Sequence, residues 1–180
     1  MHPTYAKLLE RLDAGLNDLL ESLSGLTDEQ INAPAPDGGW SIAQVMLHLM
    51  VAEELSVKYI RKKLSFNPKL EKAGLKAALR RLALIGYLKT PLKFKAPKGV
   101  DATSWSEPVP LEELRERWLK ARAELRILLE ELPSDTFDKE LYKHPLVGKL
   151  PVSAMLEFYQ VHFERHLGQI RRQLAVVSQG

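Results

Sequence analysis

Tyr159-Gln160-Val161-His162-Phe163-Glu164-Arg165-His166-Leu167-Gly168-Gln169-Ile170 is the stretch on which the reading of this chain turns. It lies in a long helical pattern that starts near Pro151, a residue tolerated at a helix start, and runs to about Val176. Two histidines four apart on a helix stand one above the other, with Cβ atoms roughly 5–6 Å apart. One metal ion can bridge that span. Tyr159 and Gln169 share the histidine face, among the inward positions Leu156, Phe163, Leu167 and Ile170. The pattern is not the protease motif His-Glu-x-x-His, because Phe163 follows His162 and Glu164 lies two positions on, turned about 200° away at helical pitch. Glu164 cannot serve as the water-activating base of that motif, which excludes metalloprotease chemistry.

A third histidine stands far upstream. In Trp40-Ser41-Ile42-Ala43-Gln44, Ser41 and Gln44 form a capping box, so a helix is expected from Ile42 to about Lys63. Its first half is apolar nearly all round, the mark of a helix buried between neighbours. The only polar side chains there are Gln44, His48, Glu53 and Glu54, with Gln44 and His48 four apart on one face. A lone core histidine is more often satisfied by a local hydrogen bond than by a metal, and a spaced pair arises by chance in many helices. Together, His48, His162 and His166 form a donor set of three, which leaves a fourth position open for water or substrate. Gln44, Tyr159 and Gln169 are then the candidates for orienting ligands, cofactor or substrate. A fourth protein ligand, Glu53 or His144, would instead close the site and make it structural. His144 precedes a proline in a loop, where a structural role is expected, and His2 is expected to be frayed.

The remaining chain is helical in pattern. Leu8, Leu9, Leu12, Leu16, Leu19, Leu20 and Leu23 mark a first helix from Tyr5 to about Leu23, and Thr27-Asp28-Glu29-Gln30 opens one short turn. Pro108 and Pro110 introduce another helix, Leu111 to Leu132, with Glu112 and Glu113 in its first turn, where the helix dipole favours acids. The stretch from Pro133 to about Leu150 reads as an ordered loop. Four long helices without a convincing strand pattern amount to an all-α bundle, expected to be a single domain over residues 1–180. Bundles build metal sites from side chains on facing helices.

Composition narrows the chemistry further. The chain has no cysteine, which removes disulfides, thiolate nucleophiles, iron–sulfur clusters and cysteine zinc sites, so any thiol must come from a ligand. No signal-peptide pattern and no apolar run of membrane-spanning length are visible, and a cytoplasmic location is expected. Between Lys58 and Lys98 lie 13 basic residues and one acid, a local charge of +12, so a chain of net charge +3 carries −9 elsewhere. The basic stretch, about 64–104, reads as one or two helices inserted between the second and third long helices. A solvated basic face is the simplest account of it, and nucleic acid is not expected as a partner, since no recognition-helix pattern ties these lysines to base reading. No nucleophile elbow and no phosphate-binding glycine loop is present.

Two groups of residues resemble the DinB-like (YfiT-like) four-helix bundle proteins. They are Trp40-Ser41-Ile42-Ala43-Gln44-Val45-Met46-Leu47-His48-Leu49 with Ala52-Glu53, and His144-Pro145-Leu146-Val147-Gly148 leading to His162-Phe163-Glu164-Arg165-His166-Leu167-Gly168-Gln169-Ile170. The Leu64 to Ser104 stretch fits this family least. The resemblance implies an up-down-down-up bundle, commonly dimeric, with a divalent metal such as zinc or nickel on three histidines, which here are His48, His162 and His166. Members include thiol S-transferases, an isomerase and proteins named as metal-dependent hydrolases. The expectation is therefore a small metalloenzyme acting on a small-molecule substrate, in which the metal activates a low-molecular-weight thiol or a water. The alternative is a non-catalytic bundle acting as a dimeric interaction or binding protein.

Overall fold

The structure is a computed structural model and describes residues 1–92, 96–97, 99–101 and 104–177. Its helices are α1 Pro3–Leu23, α2 Asp28–Asn32, α3 Ile42–Leu64, α4 Leu75–Leu88, α5 Leu111–Glu131 and α6 Val152–Val177. Strands β1 Tyr142–His144 and β2 Gly148–Leu150 pair antiparallel just before α6. The helix starts follow their chemistry. Ser41 Oγ accepts from the Gln44 N–H at 3.2 Å while Gln44 Oε1 accepts from the Ser41 N–H at 3.1 Å, and Thr27 with Gln30 repeats the box at α2. His2 is not frayed. Its Nδ1 accepts from the Thr4 N–H at 3.2 Å, and its ring stacks on Phe137 with centroids 3.6 Å apart. A ring-nitrogen lone pair caps a helix as a hydroxyl oxygen does.

Side-chain contacts fix the direction of each long helix. Mid-way along α3, Glu53 and Glu54 pair with Arg122 and Arg117 of α5, and two turns further on Arg61 pairs with the later Glu124 and Glu131, so these two helices run parallel. His48 of α3 meets His162 of α6, while Gln173 near the end of α6 donates to the carbonyl of Trp40 just ahead of α3, so that pair runs antiparallel. Asp13 of α1 reaches Arg122 and Arg126 of α5, and Gly15 lies against Phe163 of α6. The result is the expected up-down-down-up bundle.

Two apolar clusters fill it. One gathers Tyr5, Leu9 and Leu12 with Val57, Ile60, Leu125, Leu129, Met155 and Tyr159. The other gathers Leu16, Leu19 and Leu23 with Ile42, Met46, Leu114, Trp118, Phe163 and Ile170. Where they meet, each helix places a polar residue: Asp13, Glu53, Arg122 and His162. Arg122 is buried and donates to both Glu53 oxygens, at 2.9 and 3.1 Å, and to Asp13 at 3.1 Å. Burial pushes the Glu53 pKa up, and the Arg122 guanidinium opposes that rise.

The basic segment is stitched to this body. Among the described residues its one α-helix is α4, whose Leu84 and Leu88 join the first cluster and whose Arg81 pairs with Glu157 of α6. Before it, the Ala73 N–H donates to the Asp138 carbonyl at 2.7 Å and the Glu140 N–H to the Glu71 carbonyl at 2.9 Å. After it, Arg165 of α6 holds the carbonyls of Leu88, Thr90 and Leu92. Lys93, Lys95 and Lys98 lie outside the described residues. The stretch before α6 differs from the loop expected of it. Tyr142 and His144 point inward and Lys143 outward along β1, while Gly148 turns the chain with φ +87. Three-residue strands are too short to show a period-two pattern in sequence.

Arg122→Met would leave Glu53 charged and unpaired in the core, so it is expected to cost about 3–5 kcal/mol in urea unfolding. Replacing Glu53 by Met as well removes the orphaned charge and should restore most of that loss. A single-variant cost below about 1 kcal/mol would contradict this role for the pair.

Candidate metal centre

Antiparallel packing of α3 on α6 is what brings residues 48 and 162 together. His48 Nε2 lies 2.9 Å from His162 Nε2, and the His162 and His166 rings, one turn apart on α6, have centroids 4.8 Å apart. The His48 and His166 centroids are 5.0 Å apart. One ring nitrogen from each of the three falls within 4.8 Å of the other two. His48 and His162 are buried and His166 is half-buried.

Hydrogen bonds select the tautomers. The Val100 carbonyl lies 2.6 Å from His48 Nδ1 and can only accept, so Nδ1 carries the proton and Nε2 keeps its lone pair toward the cluster. On α6, His166 Nδ1 faces Gln169 Oε1 at 3.1 Å, which again frees Nε2. A lone pair on His48 Nε2 facing His162 Nε2 at 2.9 Å is satisfied either by a proton on His162 or by a cation shared between the rings. Protonating the rings is opposed throughout. Burial lowers the His48 pKa, lowers that of His166 to about 4, and with the neighbouring His166, His48 and His144 drives that of His162 well down. Neutral imidazole is the ligand form for zinc-type divalent ions, and nitrogens around a tetrahedral zinc lie about 3.3 Å apart. The donor set therefore fits such an ion.

No further histidine, aspartate or glutamate joins this trio among the described residues. Glu53 gives both oxygens to Arg122. His144 is buried one layer away, with Phe158 between, its ring 4.7 Å from His144 and stacked 5.0 Å from His162. His144 Nδ1 accepts from the Leu146 N–H at 3.2 Å, and burial lowers the His144 pKa to about 4.

The other sequence candidates divide. Gln169 touches the cluster directly. Gln44 does not, because Oε1 is spent on the capping box while Nε2 donates to the Trp105 carbonyl at 3.3 Å. Tyr159 lies in the first apolar cluster, and burial keeps its phenol protonated. The aromatic on the His162 ring is instead Phe158, four residues before it on the same helical row, a spacing visible in the sequence. Two partners went unforeseen. Trp40 edges His48 at 5.1 Å and lies parallel to His166 at 6.5 Å, and Val100 contributes a backbone carbonyl, which no residue pattern announces.

Residues 11–170 match the family described as the DinB superfamily. The chain is 27% identical over 156 residues to "Putative metal-dependent hydrolase GK0616" of Geobacillus kaustophilus, covering 86% of this chain and 75% of that protein. It is 24% identical over 151 residues to "Uncharacterized protein YuaE" of Bacillus subtilis, covering 83% and 86%. Among solved structures it resembles YfiT from Bacillus subtilis, described as "a probable metal-dependent hydrolase with an unusual four-helix bundle topology". The TM-score is 0.61 at 20% identity, over 96% of this chain and 87% of that one, a likeness of fold.

Gln169→Leu removes the acceptor that orients His166 while leaving the three rings in place. Zinc affinity, measured by competition with a chromophoric chelator, should fall roughly 10–100-fold. Unchanged affinity would contradict the orienting role of Gln169.

Proposed function

The chain belongs to the DinB superfamily, and from that membership and its three converging imidazoles we propose that it is a divalent-metal-dependent enzyme with His48, His162 and His166 as ligands. The observation that carries the reading is the cluster itself: three neutral imidazoles within 4.8 Å, two of them with Nδ1 committed to outside acceptors. Zinc or nickel suits such a nitrogen donor set. When bound, the ion would supply Lewis acidity, polarising an electrophile or lowering the pKa of a water or thiol brought to the free position. The chain's own residues do the rest. Val100 and Gln169 hold two rings in the ligating tautomer, Phe158 and Trp40 wall the cluster with apolar surface, and Gln44 ties Trp105 to the start of α3.

The hydrolase names of the relatives favour water as the nucleophile and a small hydrolysable molecule as substrate. The absence of any cysteine favours a second reading, transfer of a low-molecular-weight thiol to an electrophile. We take the working form to be a homodimer. Nucleic acid is not the partner we propose for the basic segment, since no recognition-helix pattern ties its lysines to base reading.

Purified without a histidine tag and offered zinc or nickel, the protein should hold about one ion per chain by elemental mass spectrometry. His48→Ala and His162→Ala should each lose it. Metal-loaded protein, screened on esters and amides and on electrophiles with added thiol, should show turnover that drops roughly 100-fold or more in His162→Ala. Failure to bind either metal would overturn the enzyme reading and leave a bundle acting as a dimeric binding protein.

A further inference from the structure

Helix α4 is apolar on two opposite sides. Ala77, Leu84 and Leu88 are buried against the bundle. At 100° per residue, Leu75, Leu79, Leu82 and Gly86 form a line on the opposite side, and the three leucines there are 77%, 57% and 62% exposed. Ala78 and Ala83, also exposed, border that line. The charges stand to the sides: Arg81 pairs with Glu157, and Arg80 Nη1 faces the Lys149 carbonyl at 3.4 Å. Single exposed leucines are ordinary on a protein surface. A line of them at alternating four- and three-residue spacing, with no charge inside it, is the seam by which one helix packs on another.

We propose that this line is the contact between two copies of the chain, α4 lying antiparallel on α4 of a second copy about a twofold axis between Arg80 and Arg81. The proposal rests on the homodimer reading above and gives it an interface. A twofold contact must be self-complementary, and this line is: Leu75 meets Gly86 of the partner subunit and Leu79 meets Leu82 of the partner subunit. Gly86 gains a reason by this pairing. A Cβ added there meets nothing among the described residues, so the glycine leaves room for an opposing side chain. Opposed helix dipoles favour the antiparallel sense.

A lipid surface fits less well. Interfacial helices carry free Lys and Arg along the rim of a bulky apolar face, whereas here two of the three α4 cations are engaged at home and the line ends in glycine. The seam is modest. A 14-residue helix is about 21 Å long and 10–12 Å wide, less than the roughly 800 Å² per partner of a standard interface. Self-association should accordingly be weak, and because like-charged basic segments approach each other, added salt should strengthen it.

Sedimentation velocity of the full chain across roughly 1–200 µM tests this. A monomer–dimer equilibrium is expected, tighter at high salt and weakened at least about tenfold when Leu79→Glu and Leu82→Glu are combined. Both positions are exposed, so helix content by circular dichroism should not change. Gly86→Leu should raise the thermal stability of the chain yet weaken the dimer, because the new side chain occupies the place of the opposing Leu75. A dimer indifferent to these variants would overturn the α4 pairing while leaving the homodimer reading intact. A monomer throughout would overturn both. Tighter association of Gly86→Leu, or α4-dependent co-sedimentation with phosphatidylglycerol vesicles in place of self-association, would also overturn it.

Discussion

Everything at the centre of this protein depends on burying imidazoles where α3 crosses α6, with two ring nitrogens 2.9 Å apart. Burial of a polar group is tolerated only when its hydrogen-bonding capacity is met. His48 and His166 meet half of theirs outward, on Val100 and Gln169, and turn the other half toward each other and His162. The lone pair of His48 Nε2 is then met either by a proton on His162 or by a cation shared between the rings. The antiparallel sense of α3 and α6 is what allows positions 114 residues apart in the chain to face each other.

The bundle protects that crossing from both sides. Elsewhere in the core, the Asp13–Arg122–Glu53 network joins α1, α3 and α5. Arg122 takes both Glu53 oxygens. The basic segment contributes in a different way. One end of it supplies Val100 and Trp105 as partners for α3, while its helix α4 packs on α6 and turns a second apolar side outward.

Much of this was legible in the residues. The capping boxes at Thr27 and Ser41 and the leucine spacing of α1 placed those helices to within about two residues. The histidine trio was legible because three uncommon polar residues sat on apolar helices. What the residues left out has physical reasons. A backbone carbonyl such as Val100 carries no side-chain signature. Tyr159 and Phe158 differ by one position, or 100° of helical turn, and only packing decides which one lies on His162. The Tyr142–His144 hairpin is held by two three-residue strands and a glycine at positive φ, below the length at which alternation shows. His2 caps α1 through the Thr4 N–H and stacks its ring on Phe137, a contact that sequence proximity cannot suggest.

The central claim is that His48, His162 and His166 share one ion and leave it an open position. A crystal structure of zinc-loaded protein, with anomalous data at the zinc edge, tests it most directly. The account predicts a single strong peak about 2.0–2.1 Å from one nitrogen of each of the three rings, with no fourth protein donor. A peak elsewhere in the molecule, or a zinc closed off by Glu53 or His144, would contradict it.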